Sequence, residues 1–154
     1  MKPIIKKNVV AGLGEIGLPI FKLMSKKTIT IGYDIDEKLT NKKLIKKYEE
    51  TPTSILHVCI PFSKKFITNV KKLIRQFEPE ILIIHSTISP NTTSILQSKL
   101  TIPVIYSATR GIHKRMQYDL KRYTKFFAIS NNSPKKQFAI KEFKKVMQKC
   151  GVKT

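Results

Sequence analysis

Three glycines near the N-terminus stand at a spacing that could bind a phosphate group. They form a complete GxGxxG motif between a strand-like and a helix-like stretch. Gly12 would permit a tight turn, Gly14 would let the backbone approach a pyrophosphate, and Gly17 would let the next helix pack closely on the strand. The pyrophosphate would then meet free N–H groups at the positive end of that helix. The residues predicted to border a dinucleotide here are Gly12, Leu13, Gly14, Glu15, Ile16 and Gly17.

An acidic residue stands where a dinucleotide-binding domain needs one. Asp34 lies 22 residues after Gly12, at the distance where a carboxylate binds the adenosine ribose hydroxyls. Its charge would repel the 2′-phosphate of NADP, and Ile35 and Asp36 follow it, so no arginine stands ready to accept that phosphate. Asp34 and Ile35 are therefore predicted to bind the adenosine half of NAD. The alternative is a plain glycine turn beside a surface aspartate.

Strand-like and helix-like stretches alternate along the chain and must position these groups. The apolar and β-branched runs predict strands over residues 4–11, 28–33, 54–61, 81–86, 103–107 and 125–130. Helical spacing predicts helices after the glycine motif, from a cap at Asp36 to about Glu50, after a cap at Ser63, and over 90–100. The last helix has Ser133 as its predicted cap, Pro134 at its start, Gly151 at its end, and an inner face of Ala139, Phe143, Val146 and Met147.

This alternation predicts an α/β fold: a doubly wound parallel sheet, covered by helices on both faces, as in a three-layer Rossmann domain. The chain has 154 residues, 41% of them apolar, which suits one domain over 1–154 with a real core. Ligands of such sheets bind beyond the carboxyl ends of the strands. Residues that directly follow strands are therefore the candidates for binding and chemistry.

Four segments, in the order GLGEIGLPI, GYDIDE, HVCIPF and IIHSTISPNTT, resemble a known family. They are similar to the N-terminal NAD-binding domain of the UDP-glucose/GDP-mannose dehydrogenases and, more broadly, to 6-phosphogluconate-dehydrogenase-like NAD-binding domains. The resemblance covers roughly residues 8–111. It implies that Pro61 borders the adenosine or ribose, and that Thr87, preceded by Ser86, lies near the nicotinamide.

The chain also departs from that family. Asn91 replaces a family glycine, and residues 107–113 lack the glutamate that assists the chemistry in the family. The catalytic cysteine and lysine of the family lie in later domains. We therefore expect cofactor binding, no substrate domain in this chain, and no sugar oxidation by the chain alone. Arg110 and His113 follow the next strand and are the substrate-side candidates, although a solvated loop histidine is the alternative for His113.

The net charge of +20 comes from 26 lysines, 4 arginines and 10 acidic residues. Such an excess can indicate a nucleic-acid partner, but arginine is the residue suited to forked phosphate contacts, and the lysines are scattered over many helices. Solvated surface is the favoured interpretation, with nucleic-acid binding as the less favoured one. Neither a signal peptide nor a long apolar run is present, which predicts a cytoplasmic protein without a membrane partner.

The cysteines and histidines suggest no metal site. Cys59 and Cys150 form no CxxC pair, so two buried thiols are expected. His57 lies inside a strand and should be a core histidine, and His85 should bond to loop backbone. No two histidines stand at ligand spacing with a carboxylate, so no metal is predicted.

Three functions remain open from the sequence. The chain could be a dehydrogenase-like domain that needs a partner chain or a homo-oligomer, a non-catalytic NAD-binding module, or a polyanion-binding protein on a Rossmann scaffold. Fold analogy alone does not choose among them.

Overall fold

The computed structural model describes residues 3–154. The strands are β1 (Lys7–Ala11), β2 (Thr30–Tyr33), β3 (Thr53–Val58), β4 (Ile81–Ile84), β5 (Val104–Tyr106) and β6 (Ala128–Ile129). The α-helices are α1 (Gly17–Ser25), α2 (Lys42–Lys47), α3 (Phe66–Phe77), α4 (Thr92–Lys99), α5 (Met116–Arg122) and α6 (Lys136–Lys149), and a 3-10 turn spans His113–Arg115. All six predicted strands are present but shorter than predicted.

The strands form one sheet in the order β2-β1-β3-β4-β5-β6. The first five run parallel, and β6 pairs antiparallel with β5. The chain winds from β1 to one side and then returns past it to β3, so the winding direction reverses between β1 and β3. This is the switch point at which open α/β sheets bind their ligands.

Two apolar cores cover the two faces of the sheet because successive side chains of a strand point to opposite sides. In β1, Val10 joins the core formed with α1, α5 and α6. Its neighbours Val9 and Ala11 join the core formed with α2, α3 and α4. The central runs of β3 and β4 are buried on both faces, as their continuous apolar character predicted. The three-layer, doubly wound α/β architecture is therefore confirmed.

The last helix has the inner face that its periodicity predicted. Four buried side chains of α6 line that face: Ala139, Phe143, Val146 and Met147. Gly151 has φ +73°, and the N–H of Val152 donates to the carbonyl of Met147 at 2.9 Å, which ends the helix.

None of the three predicted helix caps is the N-cap residue of its helix. Helix α3 has Lys65 at that position, and Ser63 accepts the N–H of Lys65 in the turn before the helix. Helix α2 begins five residues later than predicted, and Asn41, not Asp36, accepts the N–H of Leu44 at 3.1 Å. Asp36 instead accepts the N–H of Lys38 in a turn. The Ser133 hydroxyl donates to the side chain of Gln97 at 2.8 Å, a tertiary partner that local capping rules do not consider.

The region around residues 113–122 was not assigned from the sequence. It forms the 3-10 turn and helix α5, whose Met116 and Leu120 join the core on the α1 face. Only these two side chains and Asp119 of the seven-residue helix are buried, so its periodicity is too brief to recognise.

Candidate functional site

The glycine motif forms the turn between β1 and α1. Gly12 has φ +89°, and a Cβ there would lie 2.9 Å from the backbone of Cys59 and Ile60. A Cβ on Gly17 would overlap the carbonyl oxygen of Gly12. These two glycines are therefore required by the fold of the turn itself.

Gly14 differs from the other two glycines of the motif. A Cβ built on Gly14 meets no atom within 4 Å, and its φ is not in the left-handed region. The fold would tolerate a side chain here, but that side chain would occupy the open space above the turn. The fold itself therefore does not require glycine at position 14, and the missing side chain leaves this space open to a ligand.

The start of α1 presents unsatisfied donors to this open space. Within residues 3–154, the backbone N–H groups of Gly14, Glu15 and Ile16 donate to no other residue. Gly14 and Glu15 are exposed, whereas the Leu13 side chain is buried in the core, so Leu13 presents only its backbone. Free N–H groups at the positive end of a helix suit an anion.

Asp34 lies directly beside the glycine turn. Its Oδ2 accepts the N–H of Leu13 at 2.7 Å, and its Oδ1 accepts the N–H of Asp36 at 2.9 Å. Each carboxylate oxygen can accept more than one hydrogen bond, so both remain able to accept a hydroxyl. The bond to Leu13 joins the turn and the acid across 21 residues of sequence. Ile35 beside it is 91% exposed, an aliphatic side chain left open to a flat apolar group.

The ends of β3 and β4 continue the same edge of the sheet. Pro61 and Thr87 are exposed after these strands. Ser86 is buried, and its hydroxyl donates to the carbonyl of Ile60 at 2.6 Å, which ties the two strand ends together. The structure thus places Pro61 and Thr87 on the surface of this edge and gives the Ser86 hydroxyl a bond within the protein.

Asn91 has φ +67° at the start of α4. This is the left-handed region that glycine enters freely and that asparagine tolerates better than most residues. Asparagine is therefore compatible with this turn. Asn91 is the N-cap residue of α4, although its side chain makes no capping bond.

The two substrate-side candidates follow β5 but lie in different surroundings. Arg110 is exposed and lines a pocket of about 210 Å³ between the β5 loop, α5 and the segment before β6. His113 begins the 3-10 turn, is exposed, and does not line that pocket.

A buried lysine fixes the loop after β5, and sequence reasoning missed it. Lys125 Nζ donates to the carbonyls of Ser107 and Ala108, at 2.8 and 3.2 Å, and contacts the hydroxyl of Thr109 at 3.1 Å. Burial lowers the pKa of Lys125 to about 8. One lysine among 26 carries no local mark of such a role.

Two buried histidines pair beneath this loop. His57 Nδ1 and His85 Nε2 lie 2.9 Å apart, and both side chains are fully buried. Burial, followed by the charge of Lys125, lowers the pKa of His57 to about 3 and lowers the pKa of His85 well below its usual value. His57 is the core histidine that was predicted, and it is also a side-chain partner of His85 that was not predicted. Their positions in adjacent buried strands were the available sign of a pair.

Both cysteines are free and buried, as expected. Burial raises the pKa of the Cys59 thiol to about 12, so this thiol is a packing group rather than a nucleophile. In residues 3–154, no helix is both long and apolar enough to cross a membrane.

Neither a protein-family model nor a curated protein matches this chain. Its fold is similar to that of pyrroline carboxylate reductase from Plasmodium falciparum, solved with NADP bound, with a TM-score of 0.63 and 13% sequence identity. The match covers 97% of this chain and 56% of the reductase chain, so the chain spans just over half the length of that protein. At this identity the likeness shows the fold alone, and that fold is a Rossmann-like α/β domain.

Proposed function

We propose that this chain binds NAD and serves as the cofactor domain of an oxidoreductase. The observation that carries the proposal is the bond between Asp34 Oδ2 and the N–H of Leu13, which brings the ribose-binding acid to the rim of the glycine turn. Open space at Gly14 and the free N–H groups after it support a pyrophosphate at the start of α1. Ile35 would cover one face of the adenine.

The proposed cofactor is NAD rather than NADP. Asp34 accepts the N–H of Leu13 in the turn, and a 2′-phosphate on the ribose would place negative charge against its carboxylate. The reductase with the similar fold was solved with NADP, so fold similarity does not decide this choice. The choice depends on Asp34 of this chain.

The remaining strand ends would take the second half of the cofactor. Neighbouring strands lie roughly 5 Å apart, so an extended dinucleotide that starts at Asp34 and crosses β1 reaches the ends of β3 and β4. Pro61 would border the adenosine or ribose, and Thr87 would lie near the nicotinamide, with Ser86 holding the β4 end in place. Arg110 and His113 would lie farther along, on the substrate side.

We further propose that the chemistry belongs to hydride transfer, as in the nucleotide-sugar dehydrogenases, and that groups from a partner chain or domain complete it. Residues 107–113 contain no carboxylate, and Cys59 and Cys150 are both buried. The chain would supply the bound hydride acceptor, and the catalytic groups that activate the substrate would come from outside this domain.

The test is a calorimetric titration of the purified chain with NAD and NADP. We expect NAD to bind and Gly14→Val to abolish binding with an unchanged circular dichroism spectrum, because a Cβ at this position meets no protein atom within 4 Å. Gly14→Ala should give a smaller loss. Undiminished affinity for NAD in Gly14→Val would refute the site.

The same titration tests the role of Asp34. A charge-assisted hydrogen bond is worth about 1.5–3 kcal/mol, so Asp34→Asn should weaken NAD binding at least tenfold and reduce the preference over NADP. Asp36→Asn, two residues away, removes the same charge and is the matched control. Equal affinity of the unaltered chain for the two cofactors would contradict the assigned role of Asp34.

A further inference from the structure

A second region at the ligand-binding edge has the features of a binding site. The pocket beside Arg110 lies at the far end of the sheet from Asp34, because β5 and β6 are at the opposite side from β2. Tyr106 ends β5 and Ala128 begins β6, which places the pocket beyond the carboxyl end of β5. Its wall includes the side chains of Tyr106, Arg110, Asp119, Tyr123, Lys125 and Phe126.

Arg110 brings an unpaired positive charge to the pocket. Within residues 3–154, no carboxylate oxygen lies within 4 Å of its guanidinium. The guanidinium carbon lies 5.8 Å from the centre of the Phe126 ring, a cation–π distance that orients the group. An oriented guanidinium presents two parallel N–H donors, which match the two oxygens of a carboxylate.

Lys125 makes the loop that carries Arg110 rigid. Its ammonium group holds Ser107, Ala108 and Thr109 from within the protein, and it forms no salt bridge with any acid in the described part of the chain. With its three bonds already made, Lys125 adds a positive field to the pocket rather than a further donor. A preorganised loop lowers the cost of ordering a binding group.

Asp119 is the one acid that borders the pocket, and its charge is already paired within the protein. Its side chain is fully buried, and its Oδ2 accepts the N–H of Ile112 at 2.9 Å and the Nε–H of Arg115 at 3.2 Å. The charge of Asp119 is therefore matched by Arg115. The charges of Arg110 and Lys125 remain without an acidic partner, so the pocket favours a negative ligand.

We propose that this pocket binds a small organic acid whose carboxylate pairs with Arg110 and whose flat apolar body lies against the aromatic side chains. Tyr106, Tyr123 and Phe126 supply that apolar wall. The volume of about 210 Å³ lies below that of sites for drug-sized ligands, so the acid is small. The proposal names a substrate class for the proposed function. It rests on that function only where it calls the acid a substrate, since binding of the acid needs no cofactor.

Binding is tested with benzoate as the probe and benzamide as its neutral isostere. Amide and arginine Nε resonances of the ¹⁵N-labelled chain are followed at neutral pH and moderate salt. We expect benzoate to shift the Arg110 Nε resonance and the amides of residues 106–110 and 123–128, with benzamide binding at least tenfold more weakly. Arg110→Gln should weaken benzoate binding at least tenfold. Arg75→Gln, on exposed α3 surface, loses the same charge and should bind as the unaltered chain does.

A second variant tests the contribution of the apolar wall to benzoate binding separately from that of the Arg110 charge. Phe126 is 68% exposed, so Phe126→Ala should leave the fold intact and weaken benzoate binding severalfold. Equal binding of benzoate and benzamide, unchanged affinity in Arg110→Gln, or shifts spread over the lysine-rich surface would each overturn the proposal. The Gly14→Val variant keeps the two proposals distinct: it should lose NAD and still bind benzoate.

Discussion

The paired histidines show how burial sets the chemistry of single residues in this protein. His57 and His85 share one short contact, and their outer ring nitrogens, His57 Nε2 and His85 Nδ1, have no hydrogen-bond partner within the described residues. A proton added to either ring would place a charge in an apolar core that already holds the ammonium of Lys125. Both rings are therefore neutral in the folded protein at physiological pH.

This neutrality makes stability depend on pH. An unfolded histidine gains its proton near pH 6.5, whereas folded His57 gains it only near pH 3, so the unfolded state holds more protons between these values. The free energy of unfolding should therefore fall as the pH drops from about 6.5 towards 3, by up to about 1.4 kcal/mol per pH unit from this one group. His57→Gln keeps an amide beside His85 and does not titrate. The free energy of unfolding of this variant should therefore depend less steeply on pH, because up to one proton fewer is taken up on unfolding.

Urea unfolding at pH 7, 6, 5 and 4 measures both slopes. His113→Gln removes an exposed imidazole that folding does not bury, and it serves as the control. The same pH slope in His57→Gln as in the unaltered chain would show that His57 does not resist protonation in the folded state.

At the scale of the element, helix α6 shows which features of a helix the local sequence pattern predicts and which it does not. Its inner face follows directly from helical spacing, because apolar residues three and four positions apart share one side. Phe143 is fully buried, and its ring centre lies 4.9 Å from that of Phe127, beside β6. The start of the same helix did not follow from the sequence, because Ser133 bonds to Gln97, which is 36 residues away.

We expect Phe143→Ala to lower the free energy of unfolding by about 3–5 kcal/mol, since it removes a large side chain and leaves a cavity. Phe138→Ala, on the same helix but 40% exposed, should cost far less and is the matched control. Chemical denaturation of both variants gives the comparison. Similar losses for the two would mean that α6 does not pack on the sheet as described.

At the scale of the whole molecule, the described residues offer no exposed thiol, and the loop after β5 holds no acid. The Cys59 thiol has its pKa raised to about 12 by burial, Cys150 is also buried, and residues 107–113 hold no acid. Rate enhancement requires such groups held against the substrate. We therefore expect the pure chain, with NAD and UDP-glucose, to form no measurable NADH.

Two other outcomes of the spectrophotometric assay for NADH would also be informative. Turnover that appears only after a separate partner chain is added would support a cofactor domain completed from outside. Steady turnover by the pure chain, lost in Thr87→Ala, would contradict the prediction and make this domain a compact enzyme.

The sequence by itself determined the α/β class, the alternation of strands and helices, the turn at Gly12 and the position of Asp34 after the second strand. These features obey local rules: periodicity, the backbone freedom of glycine, and a fixed spacing within one β-α-β unit. The parallel direction of neighbouring strands follows from the same alternation, since parallel neighbours need helical crossovers.

Only the tertiary structure decided which distant residues meet. Three sets of contacts join residues that are 16 to 28 positions apart. They are the antiparallel pairing of β6 with β5, the contact between His57 and His85, and the hydrogen bonds from Lys125 to the β5 loop. No periodicity marks such contacts, because they depend on how strands are ordered and how loops close over a buried charge. The pocket beside Arg110 arises in the same way, from a loop, a short helix and an edge strand that become neighbours only when the sheet is complete.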